Sequence, residues 1–218
     1  MASDCITRPE INDLEDFCLE IGMGRIARLF LRAGLSPRHY FGRLLVHDEV
    51  GDALQFLTHT LSKQEAVWWA CLCLRSVSDP VRKPKQAQAL KAALRWVLEP
   101  NDANRRAAGH AGKLATFGTP AGAIAMSVFF SGGSILPSDQ PAVYPDPLLT
   151  ANIVTGTVTG LIGEVPPEHT KPMLMRFVAT GIGVAMGEYP WSPEKEQRNG
   201  WAGLSAGGGT TRQDTMHL

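Results

Sequence analysis

The sequence predicts an all-α protein, and three observations carry that prediction. Apolar residues recur at three- and four-residue spacing in segment after segment, Ser-Pro and Thr-Pro pairs stand where helices would start, and nine consecutive apolar residues follow a capping sequence at Ser62. We read about eight helices in one bundle-like domain over residues 1–190, with the Trp68-Trp69 helix at its centre. A flexible Gly-rich tail is expected over residues 191–218. A chain of 218 residues can bury roughly 70% of its unfolded surface, so it needs no disulfide or metal to hold together.

The elements follow in order. Asp13 to Ala33 carries Leu14, Phe17, Cys18, Ile21, Ile26, Leu29 and Phe30 at helical spacing, with a break at Gly22-Met23-Gly24 and a stop at Gly34. Ser36-Pro37 reads as an N-cap and first helical residue, opening a helix through Tyr40, Phe41, Leu44 and Leu45. Glu49 to Leu61 places Val50, Ala53, Leu54 and Leu57 on one face. Ser62-Lys63-Gln64-Glu65 is a capping box, and Ala66 to Leu74 behind it is apolar on every side, which only an enclosed helix tolerates. Pro80 and Pro84 bracket a turn before an Ala-rich helix over Lys85 to Leu98, and a more polar helix runs from Asn104 to Thr116. Thr119-Pro120 opens a helix to about Phe130, and four prolines between 137 and 147 mark a non-helical connection. Thr150 to Gly163 and Lys171 to Gly187 each end in Gly-Glu-x-Pro; the β-branched stretch Ile153 to Thr159 also fits a strand.

Composition narrows the function. Lys+Arg and Asp+Glu stand at 21 each, so nothing draws the chain to polyanions, and neither nucleic-acid binding nor membrane insertion is expected. The acidic N-terminal segment is unlike a secretion signal, and a cytoplasmic location is expected. Leu114 to Ser138 lacks charge for 25 residues, but Gly118, Pro120, Gly132, Gly133 and Pro137 interrupt it, which favours a buried helix over a membrane span. Cys5, Cys18, Cys71 and Cys73 read as reduced, packed thiols, because Cys71-x-Cys73 is one residue short of redox or zinc spacing. The six histidines fall in no helical metal spacing, and no metal or cofactor is expected.

Several motifs have a plain and a functional reading. Gly22-Met23-Gly24-Arg25-Ile26-Ala27 fits G-x-G-x-x-A, but an acidic helix precedes it where a dinucleotide site needs a strand, so a kink or a tight helix contact is the better reading. Ser131-Gly132-Gly133-Ser134 reads as a helix stop, or as a small anion nest placed unfavourably after a helix C-terminus. Gly118/Gly122, Gly156/Gly160 and Gly183/Gly187 set small residues one turn apart, for close packing or for a bound ligand. Five arginines and no carboxylate lie between Ile21 and Val46, and Arg25, Arg28 and Arg32 share a helix face that can be solvated or can meet an acidic partner.

Phe56-Leu57 with Leu61, Glu65 to Cys71, Glu99-Pro100 with Asn104 to Ala108, Phe117 to Gly122 and Phe129 to Ser134 together resemble the uncharacterised bacterial family DUF6931, over roughly residues 50 to 190. The resemblance supplies no activity or catalytic residue, and it implies an association with type VI secretion loci. The expected function is a non-enzymatic adaptor that binds another protein through Arg25, Arg28 and Arg32 or through Trp191 and Trp201 of the tail, and self-association is compatible with it. The alternative is a small-molecule site or unrecognised enzyme near residues 117–134, with Ser131, Ser134 and His110 converging on a pocket. Trp68, Trp69 and Cys71 are expected in the structural core.

Overall fold

A computed structural model of the chain describes residues 13–77 and 83–190. Among these residues the protein is all α, with ten α-helices and no strand. The helices are α1 (Leu14–Glu20), α2 (Arg25–Arg28), α3 (Pro37–Val46), α4 (Val50–Thr60), α5 (Lys63–Val77), α6 (Pro84–Leu98), α7 (Asp102–Ala115), α8 (Pro120–Phe129), α9 (Leu149–Leu161) and α10 (Pro167–Ala185). A turn of 3-10 helix, Ile162–Glu164, follows α9.

The caps form where local chemistry puts them. Ser36 Oγ accepts from His39 N–H and Pro37 takes the first position of α3, where its missing N–H costs nothing. At α5 the box closes in both directions: Glu65 N–H donates to Ser62 Oγ (3.3 Å) and Ser62 N–H donates to the Glu65 carboxylate (2.8 Å). Thr119 Oγ1 accepts from Gly122 N–H at the start of α8. Asn101 accepts from Asn104 N–H, so α7 begins at Asp102, two residues before the start read from the sequence.

Helix α5 packs against α6, α8, α9 and α10, and of its nine-residue apolar run only Leu72 is less than fully buried. Trp69 is completely enclosed, and its indole Nε1–H donates to the Phe177 carbonyl of α10 (2.9 Å). Trp68 Nε1–H donates to the Tyr189 carbonyl (2.8 Å). Burying side chains of this size contributes about 1.5–3 kcal/mol each, and a bonded N–H removes the penalty a buried indole would otherwise carry. Cys18, Cys71 and Cys73 are free, buried thiols, as their spacing implied, while Cys5 lies outside the described residues. Burial pushes the Cys71 and Cys73 thiols far above their ordinary range and Cys18 up to about 11, so all three stay protonated.

Three local features that the sequence left open or read differently have physical causes. The segment 13–33 does break at Gly22, whose φ of +71° only glycine adopts without strain, but beyond it the helix lasts a single turn and the chain then turns as far as Gly34. The β-branched stretch of α9 is helical, because Val154, Val158 and Leu161 form a buried stripe at helical spacing. The two Gly-Glu-x-Pro stops differ. Gly187 takes φ +71° and receives a closing turn in which Glu188 N–H donates to the Gly183 carbonyl, whereas Gly163 sits in the 3-10 turn and Pro167 then starts α10.

Candidate functional site

Ser131, Ser134 and His110 do not converge. Ser134 Oγ accepts from the N–H groups of Leu136 (3.1 Å) and Val143 (3.2 Å), which ties the two limbs of the Pro-rich connection together. The Ser131 carbonyl accepts from Lys63 Nζ at the start of α5 (2.7 Å), and His110 stands exposed on α7. Arg105 holds this loop from below. It is 4% exposed, and its guanidinium donates to the carbonyls of Phe129 (2.7 Å) and Ser134 (3.0 Å) and to Asp102 (2.6 Å). Arg106 donates to the other Asp102 oxygen (2.8 Å) and to the carbonyls of Ser134 and Leu136. These hydrogen bonds, chiefly from Arg105 and then Arg106, hold the Asp102 carboxyl below the usual carboxylate range. A planar guanidinium that forks onto two backbone carbonyls is a staple for a strand-free loop. The spacing of Asp102 with Arg105 and Arg106, three and four residues on, was the available sequence signal for this clamp.

A groove of about 530 Å³ does open near the expected region, one element further on. Its wall is the turn from α7 to α8, with Phe117 and Pro120, and its floor is α9, with Ile153, Gly156 and Gly160. The lining is mainly apolar. Its polar members are Thr119, which caps α8, Thr157, which donates to its own helix at Ile153, Asn152 near the start of α9, and Glu164 in the 3-10 turn that follows α9. Asn152 Oδ1 faces Nε2 of the buried His59 at 3.0 Å, and His59 Nδ1 faces the Gln55 carbonyl at 2.9 Å. His59 therefore bridges α4 to α9. Its ring was read from sequence as one of six scattered histidines, because a partner 93 positions away leaves no local signal.

The glycine pairs separate into two kinds. A Cβ on Gly122 would collide with the Thr116 carbonyl, and one on Gly183 with the Tyr189 ring, so both serve close packing within the chain. Gly118 precedes α8 and Gly187 follows α10, so only Gly156 and Gly160 share one helix, and a Cβ at either meets nothing within 4 Å.

The third surface is the N-terminal end. Arg25 and Arg28 are exposed on the single turn of α2, while Arg32 lies beyond it in the following turn and donates to the carbonyls of Leu29 and Leu31, both 2.7 Å. The three arginines thus do not line one continuous helix face, because α2 ends at Arg28. Arg28 and Arg32 border a polar recess with Asp13 and Glu15. Exposed apolar side chains stand among them, Ile26 at 57%, Leu29 at 63% and, at the end of α3, Val46 at 82%. Phe30 stacks on His47 with ring centroids 4.3 Å apart, which brings the end of α2 against the end of α3. Arg38, His39, Arg43 and Val46 border a shallow hollow on α3. Trp191 and Trp201 lie outside the described residues.

Among the described residues no three His, Cys, Asp or Glu side chains gather as a metal site, and no helix is long and apolar enough to cross a membrane. What the geometry defines is a helical protein whose buried polar groups hold loops and helices together, and whose open surfaces are an apolar groove and a basic, partly apolar end. The chain belongs to the family of unknown function DUF6931, whose sequence profile matches residues 40–185. No curated protein and no solved structure matches it. The matched region contains the groove and the Arg105 clamp; α1, α2 and the first residues of α3 lie before it.

Proposed function

We propose that this protein is a non-enzymatic adaptor that binds another protein through its N-terminal end. The supporting observation is the exposure of Ile26, Leu29 and Val46 within a segment, 21–46, that carries five arginines and no carboxylate. Large apolar side chains left in water are costly to keep unless something covers them, and arginines around them select a partner segment with acidic residues beside an apolar ridge. Arginine suits such a rim because its stem packs on apolar surface while its guanidinium pairs with carboxylates. The setting we propose, the cytoplasm and a bacterial type VI secretion system, rests on the family likeness.

The test is affinity capture from the native cell with the intact chain, with the triple variant Arg25→Glu/Ile26→Asp/Leu29→Asp, and with a chain ending at Tyr189. The triple variant should lose a specific partner that the shortened chain keeps. A partner list unchanged by the triple variant and emptied by the truncation would move recognition to Trp191, Trp201 and their neighbours.

A further inference from the structure

We propose that the Pro-rich connection between α8 and α9 is a recognition strap, whose edge of Pro141, Tyr144 and Pro147 docks in an aromatic-lined groove of another protein. Proline holds φ at about −65°, and the residue before a proline is pushed into extended backbone. Pro141, Pro145 and Pro147, with Gln140, Tyr144 and Asp146 before them, thus constrain six of the eight residues from 140 to 147. Residues 141–146 are neither helix nor strand. A chain so constrained favours polyproline II, with three residues per turn and its backbone open to a partner.

The contacts of the strap repeat with that period. Gln140 N–H donates to the Pro137 carbonyl (3.2 Å). Val143 N–H donates to Ser134 Oγ (3.2 Å), and its carbonyl accepts from Ile135 N–H (2.8 Å). Asp146 Oδ1 accepts from Leu148 N–H (2.7 Å), and its carbonyl from Leu149 N–H (3.1 Å). The anchored residues 140, 143 and 146 are therefore three apart. Pro141, Tyr144 and Pro147, one position further on in each turn, are exposed, Tyr144 at 71%, and make no hydrogen bond among the described residues.

The strap is held in place although it gives the core nothing. No residue from 135 to 147 belongs to the buried core or packs against it, yet Ser134, the anchor of Val143, is itself held at its carbonyl by Arg105 (3.0 Å) and Arg106 (3.2 Å). A segment ordered in advance loses little freedom when it docks, which gives the clamp a use beyond stability. Its chemistry names the groove. Prolyl and tyrosyl rings present flat apolar faces for aromatic side chains, and the carbonyls of Pro141, Ala142, Tyr144 and Pro145 accept no hydrogen bond among the described residues, so an indole N–H or a phenol O–H can donate to them. Three prolines cannot donate to a strand ladder, which excludes docking as an added strand. Residues 114–170 carry Asp139, Asp146, Glu164 and Glu168 and no lysine or arginine, so the rim of the groove is basic. The strap is built from other elements than the arginine-rich end and does not depend on the reading of that end.

The experiment places the photoreactive residue p-benzoylphenylalanine at position 144, or at 143 on the anchored edge, in the full chain in its native cell, and maps the cross-linked peptides by mass spectrometry. Position 144 should link to a protein at a segment bearing tryptophan or tyrosine, several-fold more than position 143 does. That protein, purified, should then bind the full chain in calorimetry, and Pro141→Ala/Pro145→Ala should weaken the affinity by about tenfold with an unchanged melt. Should the proline variant melt early, a synthetic peptide of residues 139–148 decides the matter by competing with the full chain for the purified protein. No protein linked at 144, equal linkage at 143, linkage only to a second copy of this chain or to a segment without aromatic residues, unchanged affinity in the folded proline variant, or a peptide that fails to compete overturns the proposal.

Discussion

Replacing Arg105 by Met tests whether the buried guanidinium is a structural staple. Met fills a similar volume and removes the charge, so the change isolates the hydrogen bonds. Those to Asp102 count for little, because that carboxylate is 61% exposed and water competes for it. Those to the Phe129 and Ser134 carbonyls are made by a side chain only 4% exposed, and charged donors of this kind contribute about 1.5–3 kcal/mol each. Met also forfeits the guanidinium's approach to the Phe129 ring, 5.2 Å from its centroid, while keeping an apolar contact there. We therefore expect a loss of about 3–4 kcal/mol, or about 10 °C in the melting temperature for a chain of this size. Urea and thermal melts measure the total. Hydrogen exchange locates it: the Leu136 and Val143 amides, which Ser134 holds, should exchange faster in the variant while α5 stays protected. Arg105→Lys should recover part of the loss, since one ammonium cannot reach both carbonyls as the fork does. A Met variant within about 1 kcal/mol of wild type, with unchanged exchange over 130–143, would show that the loop stands without its clamp and would return Arg105 to the list of groups available for a ligand.

Other expectations follow from the same contacts. Gly122→Ala drives a methyl into the Thr116 carbonyl and should cost about 1–3 kcal/mol by calorimetry, whereas Gly42→Ala in α3, with open space around it, should gain up to about 1 kcal/mol from helix propensity. Asp102 has a carboxyl pKa lowered in the folded state, so its contribution is present above pH about 4 and fades as pH falls through the lowered value; Asp102→Asn should flatten that acid limb in urea melts at pH 2–6. Cys71 and Cys73 should resist alkylation by iodoacetamide at pH 8 until the chain unfolds, read by peptide mass mapping, since burial keeps both protonated.

Most of the helical framework was legible because its signals are local. The Ser62-Glu65 box, the Ser36-Pro37 and Thr119-Pro120 starts and the unbroken apolar run after Ala66 each depend on residues within one or two turns, and each appears in the structure with the hydrogen bonds its chemistry requires. The candidate sites were less legible because contacts between distant residues decide them. Ser131 and Ser134 stand in a local Ser-Gly-Gly-Ser pattern, but their carbonyls are held by Arg105, reaching from α7, and by Lys63, from α5, contacts that leave no local signal. Arg32 has helical spacing to Arg25 and Arg28, yet α2 stops after one turn, so periodicity placed together residues that the backbone separates.

The glycines show the same limit from the other side. Gly118/Gly122, Gly156/Gly160 and Gly183/Gly187 are identical as patterns, and their different fates depend on what the tertiary fold sets beside each. A carbonyl from the α7–α8 turn fills the space at Gly122, an aromatic ring fills it at Gly183, and at Gly156 and Gly160 the space remains open. Helix α9 would be more stable by itself with alanine at both positions, so intramolecular packing gives no reason for glycine there.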